Sequence, residues 1–221
     1  RINTQLNGAA VGRLGTKAQV NNVELFTRAP LQSQMGITTD PFEGTGSIVS
    51  MSAPFFQVSA DPNNPTFDVD KTPDPELSRE DLGDLIAFTR FLAPLQKTPF
   101  DAAALRGELL FDEINCTGCH VPSLPSSRGP VEAYTDLLLH DMGPDLVDNI
   151  RLGDSNSSLT RFRTQPLWGV SKVAPYLHDG RAATLRDAIA AHAGEAENSR
   201  ADFDLLSEDE QADVIAFLEH L

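Results

Sequence analysis

Apolar residues fall at helical spacing in several stretches of the chain, and most of these stretches begin with a capping signal. Ser78 precedes Leu82, Leu85, Ile86, Phe88 and Leu92, and Asp81 stands three residues after it, as in a capping box. The pattern predicts a helix from Ser78 to about Phe91 or Leu92, stopped by Pro94. A second helix is predicted from about Asp101 to Asp112, with Leu105, Leu109 and Leu110 on one side. Gly107 inside it costs about 1 kcal/mol against alanine, so its presence points to close packing of another helix. Thr184 with Asp187 starts a short helix. Ser207 with Glu210 starts the last one, which runs through Val214, Ile215, Phe217 and Leu218 to Leu221. Weaker patterns predict helical stretches over Val20 to Phe26 and Val131 to Leu139. Asp40 to Gly46, Asp61 to Pro75 and most of residues 121–175 read as loops, punctuated by proline. Within residues 1–76, loops without strand alternation predict chain wrapped around a large group such as a cofactor, the plainer alternative being a disordered extension.

Leu77-Ser78-Arg79-Glu80-Asp81-Leu82-Gly83-Asp84-Leu85-Ile86-Ala87-Phe88 echoes Leu206-Ser207-Glu208-Asp209-Glu210-Gln211-Ala212-Asp213-Val214-Ile215-Ala216-Phe217. The capped start, the apolar spacing and the Ile-Ala-Phe triplet recur. Two amphipathic helices can share such a pattern through composition, but the combination points to two copies of one unit. The expected boundaries are 1–97 for the tail of a first unit and 98–221 for a complete second one.

The second copy carries Cys116-Thr117-Gly118-Cys119-His120 upstream of its capped helix. Two cysteines at i and i+3 followed by histidine form the attachment signature of a c-type haem. The two thiols reach the vinyl groups on one porphyrin edge, and the histidine lies under the iron. His120 is the expected proximal ligand, and Gly118 relieves crowding against the ring. These are the only two cysteines in the chain, so a zinc site of about four N/S ligands lacks its second pair. No βαβ pattern accompanies them, as a thioredoxin-like redox pair requires. The first copy has no such motif between Arg1 and Ser78, so its haem segment is expected upstream of Arg1.

A haem iron has a second axial position, taken by Met or His or left open. Met35, Met51, Met142, His140, His178, His192 and His220 are the candidates. Leu185, Ala188, Ile189 and His192 fall at i, i+3, i+4 and i+7, one helical face, so His192 is the expected ligand. Met142, beside His140, is the runner-up. His178 is expected to hydrogen-bond a loop or a haem propionate, and His220 to sit on a solvated helix end.

Net charge is -15 over 221 residues, with 40% apolar residues. That balance argues against nucleic acid and against anionic membranes, and permits a redox protein partner with a basic face. No apolar run is long enough to span a bilayer. Haem attachment at this motif implies a periplasmic or otherwise extracytoplasmic location.

Arg163-Thr164-Gln165-Pro166-Leu167-Trp168-Gly169-Val170, followed by Ala174-Pro175-Tyr176-Leu177-His178-Asp179-Gly180-Arg181-Ala182-Ala183-Thr184-Leu185, resembles the bacterial di-haem cytochrome c peroxidase superfamily. The likeness is nearest to its di-haem oxidoreductase, thiol oxidoreductase-like branch. Tyr134-Thr135-Asp136, His140-Asp141-Met142-Gly143-Pro144, Gly12-Arg13-Leu14-Gly15 with Lys17-Ala18, and Met35-Gly36-Ile37-Thr38 also resemble that branch. The resemblance implies an all-α fold of cytochrome c-like domains with long ordered loops around haem. It implies one covalent haem c held by Cys116, Cys119 and His120, with His192 where the peroxidases place a methionine, and calcium between domains. Gln34 stands where the peroxidases place a catalytic glutamate, and an amide cannot take and return a proton. Thr16 stands about where relatives place an aromatic residue between the haems. The expected function is electron transfer in the cell envelope, beside another polypeptide that carries a further haem or the upstream segment. The alternative is the larger fragment of an active di-haem peroxidase or oxidoreductase.

Overall fold

The computed structural model describes residues 11–39, 75–149 and 159–221, which divide into two compact units. Among the described residues, 16–18, 94–149 and 159–221 form one unit, and 11–15, 19–39 and 75–93 the other. The loops expected at Asp40 to Gly46 and Asp61 to Pro75 fall almost wholly outside the described residues.

The smaller unit holds two helices. α1 is Val23–Met35, longer than the stretch ending at Phe26 that the sequence predicts, because it continues through Pro30. The Asn22 side chain caps it, accepting from the Leu25 amide at 2.8 Å. α2 is Arg79–Phe91, started by Ser78, whose hydroxyl oxygen accepts from the Asp81 amide at 3.1 Å. α1 packs on α2, burying Leu25, Leu31 and Leu82.

The larger unit is organised by the crossing of two helices, α3 (Ala102–Glu113) and, at the chain's end, α6 (Glu208–His220). Asp101 caps α3 and Ser207 caps α6 in a complete box with Glu210. Gly107 sits at the crossing. A Cβ there would run into the Asp213 carbonyl and lie 2.9 Å from the Phe217 Cβ, so only glycine lets the helices meet. Phe217 is fully buried among Phe111 (ring centroids 5.3 Å), Phe100 (5.5 Å) and Tyr134 (5.6 Å). Burial of one such ring contributes about 1.5–3 kcal/mol. His220, expected on a solvated end, is instead half-buried, its ring edge-on to Phe100 at 6.1 Å. Between the crossing helices in sequence lie α4 (Leu185–Ala190) and α5 (Glu197–Leu205).

The described fold is mostly helical, as an all-α fold requires, with one small two-stranded sheet added. β1 (Leu139–Asp141) pairs antiparallel with β2 (Arg161–Arg163), His140 facing Phe162 in register. The helix expected over Val131 to Leu139 is absent. Tyr134 and Leu137 adopt left-handed φ values of 51° and 60°. The Thr135 hydroxyl accepts from the Leu137 amide at 3.0 Å, and the Asp136 carboxylate accepts from the Leu138 amide at 2.9 Å. These side-chain turns satisfy backbone donors that a helix would otherwise claim.

Lys17 anchors the 16–18 segment beside β2. Its side chain is fully buried, donating to the carbonyls of Arg161 (2.9 Å) and Leu159 (3.2 Å) and pairing with Asp148 at 3.1 Å. Its ammonium lies 3.6 Å from the centroid of the Phe162 ring. Burial pulls its pKa below the usual lysine value, against the raising effect of Asp148.

Candidate haem site

α3 delivers the cysteine motif directly. Its last turn closes when the Ile114 amide donates to the Leu110 carbonyl at 2.9 Å, and Asn115 then turns left-handed at φ 58°. Cys116–Gly118 forms a single 3-10 turn, and the amides of Cys119 (3.3 Å) and His120 (2.9 Å) both donate back to the Cys116 carbonyl. Thr117 tethers the turn to the helix through a 2.6 Å bond to Asp112. The crowding that Gly118 relieves is with the Asn115 side chain, 3.1 Å from where a Cβ would stand.

Cys116, Cys119 and His120 line a mainly apolar cavity of about 620 Å³. Cofactor pockets run from about 300 to 1,000 Å³. Leu185, Ala188, Ile189 and His192 line the same cavity, so the stripe read from the sequence does face it. His192 stands just beyond the end of α4, its amide bonded to the Ile189 carbonyl at 3.0 Å. α4 is fixed by the reciprocal Thr184–Asp187 box.

The two histidines are prepared alike. His120 Nδ1 donates to the Tyr134 carbonyl at 2.9 Å, and His192 Nδ1 to the Ala188 carbonyl at 2.7 Å. In both rings Nε2 is left with its lone pair. Burial pushes the His120 pKa down to about 4, with the Tyr134 carbonyl working against it and His192 adding to it. Burial lowers His192 as well. Both are therefore neutral at pH 7, the form that binds a metal. Burial pushes the Cys116 thiol up to about 12.

Met142 and His140 also line the cavity, but His140 is already committed. Its Nε2 lies 2.8 Å from Asp136 and its Nδ1 2.9 Å from Glu195. Asp136, then Cys119 and Glu195, raise its pKa to about 10 against the effect of burial, so it is an imidazolium. Burial works to raise the Asp136 carboxyl, but bonds from His140 and the Leu138 amide hold it below its usual value. Donor atoms of Cys119, Asp136 and His140 lie within 4.8 Å of one another. Without a metal the trio is held together as an ion pair of His140 and Asp136 beside the Cys119 sulfur.

His178 stacks on Phe162 with ring centroids 4.3 Å apart and planes at 22°, on the cavity wall. Arg163 is a wall residue too, donating to Gln165 at 2.6 Å, and burial lowers its pKa. Glu195 and Phe162 escaped the sequence reading. Neither stands in a periodic stripe or a motif: the strand pairing opposite His140 brings Phe162 to the wall, and the 2.9 Å contact with His140 Nδ1 brings in Glu195.

Among the described residues no helix is long and apolar enough to cross a membrane. No curated protein matches the chain. Two solved structures are similar in part. One is the hydrazine synthase of Kuenenia stuttgartiensis, with 21% identity over 66% of this chain and 56% of that one, at a TM-score of 0.48. The other is a MauG-like protein associated with microbial copper homeostasis, with 22% identity over 64% and 52% and a TM-score of 0.47. The chain thus aligns with little more than half the length of either. The family model described as "Di-haem oxidoreductase, putative peroxidase" matches residues 3–221. Because that match takes in both units and the cavity with its cysteine motif, the chain belongs to the di-haem oxidoreductase family.

Proposed function

We propose that the chain is a c-type cytochrome module that relays electrons in the cell envelope, with one haem covalently held by Cys116 and Cys119. His120 is its proximal ligand and His192 its distal ligand. The observation that carries this reading is the presence of two neutral histidines, each with Nδ1 spent on a carbonyl, in one apolar cavity with the cysteine pair. That donor set fits a haem: two sulfurs on one turn, two imidazole nitrogens and an apolar enclosure.

When bound, the haem supplies the one-electron change at iron, and the protein supplies burial, orientation and axial tuning. Tyr134 and Ala188 fix the tautomers of the two histidines through their carbonyls, which also raises the basicity of the rings. Two imidazoles give a lower potential than a Met/His pair, so Met142 in place of His192 would raise it. Arg163 on the wall suits a haem carboxylate. The net charge of -15 suits a redox partner with a basic face.

The second haem of the family would come from another polypeptide or a further segment, since this sequence has one CxxCH. The family match also keeps an enzymatic reading in play, in which this chain is the larger part of a di-haem peroxidase. Low-temperature electron paramagnetic resonance with iron quantified per chain separates the two. One iron with a low-spin, two-imidazole signal supports the relay. A high-spin signal that shifts on adding peroxide overturns it in favour of the enzyme.

A further inference from the structure

His192 lies two residues beyond the end of α4, a helix of only six residues. A helix that short holds little in place by itself. The chain that follows His192 therefore bears on where its ring stands. Gly194–Ala196 forms a single 3-10 turn that packs on β1. Gly194 takes a left-handed φ of 57°, and a Cβ there would run into the Asp141 carbonyl and stand 2.7 Å from the Gly143 nitrogen. Only glycine lets the turn lie this close to the strand.

Glu195 fastens that contact. One carboxylate oxygen accepts from the Asp141 amide at 3.1 Å and the other from His140 Nδ1 at 2.9 Å. The His140 ring carries the link onward. Its Nε2 donates to Asp136 at 2.8 Å, and the Cys119 sulfur lies 3.7 Å from its Nδ1. Asp136 stands two residues after Tyr134, whose carbonyl holds His120. One ring thus joins the turn behind one cavity histidine to the stretch that orients the other. The His140 side chain is 15% exposed, while that of Glu195 is 46% exposed, so the link can be cut at Glu195 without opening the core. The electron relay as read above uses neither residue.

We propose that His140 and Glu195 are positioning residues for the distal ligand, clasping the turn after His192 to β1 and so keeping that imidazole on the iron against competing ligands. This inference rests on the reading that His192 is the distal ligand. Neither clasp residue is offered to the iron, because the ring nitrogens and carboxylate oxygens are spent on one another, on Asp136 and on the Asp141 amide. The clasp acts by limiting how far residues 193–196 can lift from the strand. With it cut, a turn that carries no side chain at Gly194 moves more freely, and His192 leaves its place more often. A small ligand then finds the axial position open.

The test titrates cyanide into the haem-loaded full chain in the ferric state, followed by absorption, with low-temperature electron paramagnetic resonance on the same samples. His140→Leu and Glu195→Ala should each raise cyanide affinity by at least about tenfold, the lower end of what partners of a metal ligand contribute. The double variant should gain about as much as either single one, because both cut one link. Arg106→Ala loosens the α3–α6 crossing, away from the clasp, and should leave cyanide affinity as in wild type. Circular dichroism checks that each variant is folded, and if His140→Leu is not, Glu195→Ala decides alone. Clasp variants that bind cyanide no better than wild type, where His192→Ala does, overturn the clasp and leave the ligand reading standing. Additive effects of the two substitutions, or an equal rise in Arg106→Ala, overturn it as well. A low-spin signal that survives His192→Ala overturns the ligand reading and the clasp together.

Discussion

Arg106 sets its Nε and Nη2 on the two carboxylate oxygens of Asp213, at 2.6 and 2.7 Å, one residue before the glycine that brings the two helices together. The fork and the glycine act at one point. Their energetics differ, because the fork is exposed to water while the glycine contact is sealed. Gly107→Ala should force α3 away from Asp213. Overpacking of this kind costs about 1–3 kcal/mol, against about 1 kcal/mol that alanine returns through helix propensity. Urea unfolding should show a lower midpoint for Gly107→Ala than for Arg106→Ala. An unchanged midpoint for the alanine at 107 would mean that the crossing is looser than described.

Phe217 and Phe88 hold matching places in the duplicated pattern, and their truncations should diverge. Phe217→Ala empties the centre of an aromatic cluster and should cost about 3–5 kcal/mol. Phe88→Ala removes an exposed ring and should change the stability of the isolated chain by less than about 0.5 kcal/mol. Thermal or urea unfolding of the two variants side by side checks the contrast.

His140 should make the larger unit sensitive to alkali. Its folded pKa is raised to about 10, chiefly by Asp136, above the ordinary value of 6.5. It holds its proton more tightly folded than unfolded, so its contribution is complete below pH 6.5 and is lost as pH rises through about 10. Asp136 and Glu195, both held below their usual values, contribute in the opposite sense and lose their part as pH falls through the carboxylate range. Wild type should therefore lose stability between pH 7 and 10, and Asp136→Asn should flatten that slope. Parallel slopes in the two proteins would show that the ion pair does not govern it.

Replacing the proposed distal ligand should be read at the iron and not in the fold. His192→Ala should turn a low-spin spectrum high-spin while the haem stays covalently attached, because Cys116 and Cys119 are untouched. His192→Met should restore a low-spin state at higher potential. A spectrum that does not respond to His192→Ala would move the ligand assignment to Met142.

Local signals made much of this legible from the sequence. Serine and threonine caps with their partners three residues on located α2, α4 and α6, because the bonds involved close within one turn, whereas apolar spacing located α3 and its Asp101 cap went unread. The turn that carries Cys116, Cys119 and His120 likewise closes within a few residues. The misread stretch, Val131 to Leu139, has helical spacing of apolar residues, but Thr135 and Asp136 turn their side chains onto nearby amides and break it. The β1–β2 pair was invisible because each strand has three residues and the match lies across a long loop. Lys17 shows the same limit. Nothing in its neighbours announces a fully buried ammonium, since its partners Asp148, Leu159 and Arg161 are far away in sequence.

The Cys116 thiol bears on the order of assembly. Burial holds it well above its usual value, and only the thiolate is a competent nucleophile. The sulfur therefore gives up its proton less readily in the folded cavity than in an open chain. The thioether that the proposed function requires is thus favoured before the cavity walls assemble around the motif rather than after.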